Sequence, residues 1–191
     1  MNKTAWVALS IAGVIALLAV ILSGGGSPTT NQDDVVGDVA IGEGTGEPGD
    51  VTIADITHAV VSKNGDEVVF EVTVSAELPR KLKGSILDLR WDVSVGGTDT
   101  WIVAANLNDG PNASITSLKS NYGSSTIDGT LPGSVALTGD TLTVTVDAAQ
   151  VDGFPTTFTW RLMSTLDGDP ADPGSATATD TAPDSGPGEL E

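Results

Sequence analysis

The chain has 191 residues, 26 acidic against 8 basic side chains, a net charge of −18 and no cysteine. That charge repels nucleic acid and anionic lipid headgroups, so nucleic-acid binding is excluded as a working hypothesis. The missing cysteine excludes disulfide staples, thiolate zinc sites and cysteine nucleophiles, which leaves core burial or a hard metal ion to stabilise the fold.

In chain order, the first feature is an apolar run over residues 5–22 in which Ser10 is the only polar side chain. As a helix it is about 27 Å long, close to the roughly 30 Å hydrocarbon core of a bilayer, and it has no polar stripe. Residues 1–22 are therefore read as one N-terminal transmembrane helix, a membrane anchor or uncleaved signal. Cleavage at Ser23-Gly24-Gly25 is the alternative, and it would give a secreted protein. Lys3 precedes the run and the first charges after it are Asp33 and Asp34, so the remainder of the chain is expected outside the cell membrane. The lipid bilayer is thus a predicted partner through residues 5–22.

Residues 23–50 contain eight glycines and six acidic residues without a basic one, the composition of a flexible linker with a root-mean-square reach of about 29 Å. Val35 to Ile41 offers at most a weak edge strand there, because Gly37 and Asp38 interrupt it.

From residue 51 to 166 the apolar residues alternate, the period of strands with one buried face. Val68, Phe70, Val72 and Val74 form one such series, and Leu87, Leu89, Trp91, Val93 and Val95 form another. After the turn Gly96-Gly97-Thr98-Asp99, Trp101, Val103, Ala105 and Leu107 continue the second series as a hairpin. Asn64-Gly65 marks a further hairpin. Leu142, Val144 and Val146, then Phe158, Trp160 and Leu162, give two more strands, with weaker runs near residues 113–118 and 124–128. Seven to nine short strands predict an all-β, antiparallel β-sandwich, immunoglobulin-like or related. Residues 167–191, with seven acidic residues and four prolines but no basic or aromatic one, read as an acidic disordered tail.

Few residues suggest chemistry. His58 is the only histidine and no Gly-x-Ser-x-Gly elbow occurs. A secreted hydrolase using paired Asp residues is one alternative, but Asp88 and Asp92 on one strand face lie about 13 Å apart, beyond the roughly 5–9.5 Å used in glycoside hydrolysis. Alternation sends Trp91, Trp101 and Trp160 inward, which leaves Tyr122 as the one free ring for a carbohydrate ligand. Asp167, Asp169 and Asp172 form a short oxygen-rich turn suited to Ca²⁺, though without EF-hand spacing. Asn112-Ala113-Ser114 fits an N-glycosylation acceptor.

Leu22-Ser23-Gly24, the Gly-rich linker and Leu89-Arg90-Trp91-Asp92-Val93-Ser94-Val95 together resemble exported prokaryotic surface proteins with a lipoprotein-like N-terminus and a single β-sandwich. Gly25 stands where such proteins carry the lipidated cysteine. The resemblance implies an adhesive or substrate-capturing role. The expected function is a membrane-tethered, non-enzymatic binding or cell-envelope interaction module with an unknown extracellular partner, the alternative being a carbohydrate- or calcium-binding module.

Overall fold

The computed structural model describes residues 29–42, 51–82, 85–107, 110–117, 132–167, 177–184 and 186–191. These residues form an all-β fold of two antiparallel sheets enclosing one core. The predicted anchor, the 124–128 run and Tyr122 lie outside them. Among the described residues, no helix is long and apolar enough to cross a membrane.

Twelve strands follow in order among the described residues: β1 (Thr29–Asp33), β2 (Ala40–Ile41), β3 (Ile56–Asn64), β4 (Glu67–Val74), β5 (Ile86–Val95), β6 (Thr98–Leu107), β7 (Pro111–Ser117), β8 (Gly133–Thr138), β9 (Thr141–Asp147), β10 (Phe158–Asp167), β11 (Ala178–Ala182) and β12 (Gly188–Leu190). One sheet runs β1-β3-β4-β9-β8; the other runs β2-β11-β10-β5-β6-β7, with β12 also on β10.

The alternation does what it predicts where side chains are large. Val68, Phe70, Val72 and Val74 of β4 are buried, as are Leu87, Leu89, Trp91 and Val93 of β5. Each such burial contributes about 1.5–3 kcal/mol relative to exposure. Aromatic contacts run through the centre: Phe70 meets Trp91 at 5.7 Å and Phe158 at 6.2 Å, and Phe154 meets Trp101 at 5.4 Å. Trp91, Trp101 and Trp160 are all buried, so none offers a stacking face to a sugar.

Four strands lie outside the expected 51–166 span, and each has a physical reason for being faint in sequence. β1, Thr-Thr-Asn-Gln-Asp, carries no apolar residue and joins β3 through backbone pairing from Thr29↔Ser62 to Asp33↔His58. β2 is two residues long and pairs with β11. β11 and β12 occupy the stretch expected as a disordered tail. Both pair with the same edge of β10, Leu162↔Ala182 to Leu166↔Ala178 and Phe158↔Leu190 to Trp160↔Gly188. They lie in line along β10 as two parts of one interrupted strand. Ala178, Ala182 and Leu190 are buried, but alanines give little alternating hydropathy. Gly188 is required by contact, since a Cβ there would lie 2.6 Å from Trp160 Nε1.

Candidate metal centre

The N-terminal segment crosses from one sheet to the other between β1 and β2. Asp34 starts this crossover, its amide donating to the Thr57 carbonyl at 3.1 Å. Gly37 adopts φ +88°, a conformation that favours glycine, and its N–H donates to both oxygens of Asp55 at 2.9 and 3.1 Å. Asp38 follows directly. Asp55 leaves a 3-10 turn over Val51–Ile53 just before β3, and also accepts from the Ser75 hydroxyl at 2.6 Å. Asp180 sits mid-β11 on the inward face between Ala178 and Ala182. One of its oxygens accepts from the Ile56 amide and the other from the Thr181 amide, both at 2.7 Å. Asp184 belongs to the excursion between β11 and β12.

One carboxylate oxygen each from Asp38, Asp55 and Asp180 lie within 4.8 Å of one another. Asp34 and Asp184 adjoin them electrostatically. Burial, then close approach to Asp184 and the charges of Asp180 and Asp184, push Asp34 up to about 7. Burial and Asp184 raise Asp38; burial raises Asp180 against the two amides it accepts from, with Asp38 and Asp55 adding repulsion. Both Asp34 oxygens are closed to solvent and neither makes a hydrogen bond of normal geometry; the Val35 amide exerts only a lowering influence that burial and the neighbouring carboxylates outweigh. A buried carboxylate turned toward other carboxylates costs free energy unless a proton or a cation joins them.

The donor set fits a hard cation. Ca²⁺ takes six to eight oxygens at about 2.3–2.6 Å, so oxygens opposite one another across the ion stand about 4.6–5.2 Å apart, and three oxygens mutually within 4.8 Å can share one ion. A cavity of about 290 Å³, lined by Asp38, Met163, Asp180 and Asp184 among others, gives access from solvent. The Gly37 amide holds the Asp55 carboxylate and the Ile56 amide holds that of Asp180, which fixes the orientation of both.

The residues expected from sequence fall elsewhere. Asp167 ends β10, accepts from the Thr177 hydroxyl at 3.4 Å and faces Asp88, whose carboxyl is raised by burial and then by the Asp167 charge. Asp169 and Asp172, like Tyr122, lie outside the described residues. Asn112 is exposed on β7, its side-chain amide donating to the Gly110 carbonyl at 3.1 Å. His58 pairs through Nδ1 with Asp33 at 2.8 Å on the β1–β3 rim, and Arg90 pairs with Asp92 at 2.6 Å, so neither joins the acidic centre. Of the five carboxylates that do assemble, the sequence offered one signal: Asp180 falls at an inward position of the alternation Ala178-x-Asp180-x-Ala182. Asp34 and Asp184 are separated by most of the chain.

No protein family, curated protein or solved structure matches this chain.

Proposed function

We propose that this chain is a calcium-binding β-sandwich, immunoglobulin-like in its broad plan, tethered outside the membrane by residues 5–22 and serving as a non-enzymatic binding or cell-envelope interaction module. The observation that carries the cation is the approach of carboxylate oxygens of Asp38, Asp55 and Asp180 to within 4.8 Å of one another, with the Asp34 carboxylate closed to solvent beside them. The tether rests on the apolar run, and the outward orientation on the charges flanking it. Ca²⁺ is favoured over Mg²⁺ because the ligands come from three separated segments and offer many carboxylate oxygens, which suits a large, geometrically tolerant ion.

The test is calorimetric titration of chelator-stripped full chain in non-ionic detergent with CaCl₂, paired with thermal melts. A Kd of about 10⁻⁴–10⁻³ M is expected, as for extracellular calcium modules. At about 100 times Kd the fold gains about 2.7 kcal/mol. Asp38→Asn, an exposed ligand, weakens binding about tenfold while the protein still melts cooperatively. Absence of both binding heat and a melting shift at about 10 mM Ca²⁺, above that Kd range, would remove the cation from this reading.

A further inference from the structure

Asn112 heads the triplet Asn112-Ala113-Ser114 near the start of β7, the last strand of its sheet among the described residues. Alternation along the strand sends Asn112 and Ser114 to the same outward face, about 6.8 Å apart, and both are exposed, while Ile115 turns into the core. Across the ladder they face Asn106 and Ala104 of β6, so their partners on that surface are short and uncharged. The Asn112 side-chain amide has two hydrogens. One donates to the Gly110 carbonyl at 3.1 Å, and the other meets no acceptor among the described residues. Asparagines 31, 64 and 106 are also described, but two residues beyond them stand Asp33, Asp66 and Asn108, and only Asn112 has a hydroxyl at that distance.

We infer that Asn112 is the acceptor of an N-linked oligosaccharide, carried on the outward face of β7. This inference rests on the outward placement of the domain proposed above, because N-oligosaccharyltransferases modify Asn-x-Ser triplets on the non-cytoplasmic side of a membrane. The step joins Asn112 Nδ2 to the anomeric carbon of a lipid-phosphate-linked oligosaccharide. The Nδ2–C1 bond forms, the C1–O bond to the lipid phosphate breaks with its electron pair left on the phosphate, and one Nδ2 proton passes to a base of the transferase; nothing is oxidised or reduced. Ser114 supplies the hydroxyl that the transferase reads. The glycosylated amide keeps one N–H for the Gly110 carbonyl, so the folded strand accommodates the sugar without leaving that acceptor unpaired. A second triplet of the same pattern, Asn2-Lys3-Thr4, precedes the apolar run. With residues 5–22 as the tether and the domain outside, Asn2 lies on the cytoplasmic side and stays unmodified.

The test is mass spectrometry of the full chain produced in cells whose transferase accepts Asn-x-Ser without further sequence requirement. Trypsin releases residues 91–119 as one peptide, in which Asn112 heads the only acceptor triplet. A membrane-impermeant amine reagent applied to the intact cells reports separately whether the lysines of the domain lie outside. The peptide is expected to carry a glycan that is lost completely in Asn112→Gln and in Ser114→Ala, retained in Ser114→Thr and unchanged in Asn2→Gln. Because Asn112 and Ser114 are both exposed, these variants are expected to melt like the wild type, and the Ser114 pair reads the triplet without altering the amide. An unmodified peptide from a chain that is labelled outside, or recovered from the medium, overturns the acceptor and leaves the outward placement standing. An unmodified peptide from a chain closed to the reagent overturns both, as does a glycan on Asn2 with Asn112 bare, since the orientation is then inverted. A sugar that survives Ser114→Ala also overturns the acceptor, because the hydroxyl would then not be read.

Discussion

Gly188 and Trp160 meet so closely that the strand β12 depends on a missing methyl group. The φ of Gly188 is not in the left-handed region, so its requirement is steric and not conformational. Gly188→Ala is expected to cost about 1–3 kcal/mol through overpacking, seen as a lower melting temperature with the same folded near-ultraviolet spectrum. Combined with Trp160→Phe, the loss should be smaller than the sum of the single losses, because the smaller ring vacates the space the methyl needs. Asp88 shows a milder conflict. Its folded-state carboxyl is raised above 3.8 by burial and Asp167, so the folded chain binds the proton more readily than the unfolded one. Its contribution therefore favours the fold at low pH and is lost as pH rises through the folded-state value. Asp88→Asn should stabilise the protein at pH 7 by no more than about 0.5 kcal/mol, given the exposure of the site, and the gain should vanish near pH 4. Denaturant midpoints of both proteins at the two pH values check the sign; an equal gain at both would refute it.

At the scale of elements, β11 and β12 carry more than their composition suggests. They cover one edge of β10, bury Ala178, Ala182 and Leu190, and bring Asp180 to the Ile56 amide. A chain ending at Asp167 is expected to lose stability comparable to the whole of a domain's roughly 5–15 kcal/mol, with a broad melt and dye binding to exposed apolar surface. A cooperative melt within a few degrees of the full chain would show that these strands are dispensable. The strands rich in Val, Leu, Phe and Trp were legible in the sequence, because large side chains on alternate positions announce a buried face. β1, β2, β11 and β12 were not, since polar or small residues let backbone pairing and two or three inward contacts do the docking.

Across the whole molecule, an excess of 18 negative charges is partly gathered at one place where three segments of the chain converge. Concentrating like charge is unfavourable, so a cation bound there as proposed would raise stability in a way that screening of dispersed surface charge does not. The sequence by itself determined the all-β class, the inward tryptophans and the positions of the principal hairpins, because local alternation and turn residues encode them within ten residues. The apolar run over residues 5–22, from which an anchor is expected, is likewise a feature of one continuous stretch of sequence. Only the tertiary structure decided which carboxylates meet. Asp34, Asp38, Asp55, Asp180 and Asp184 are neighbours because a crossover between sheets, a turn before β3 and an interrupted strand on β10 converge, and such convergence of distant segments leaves no local pattern to read.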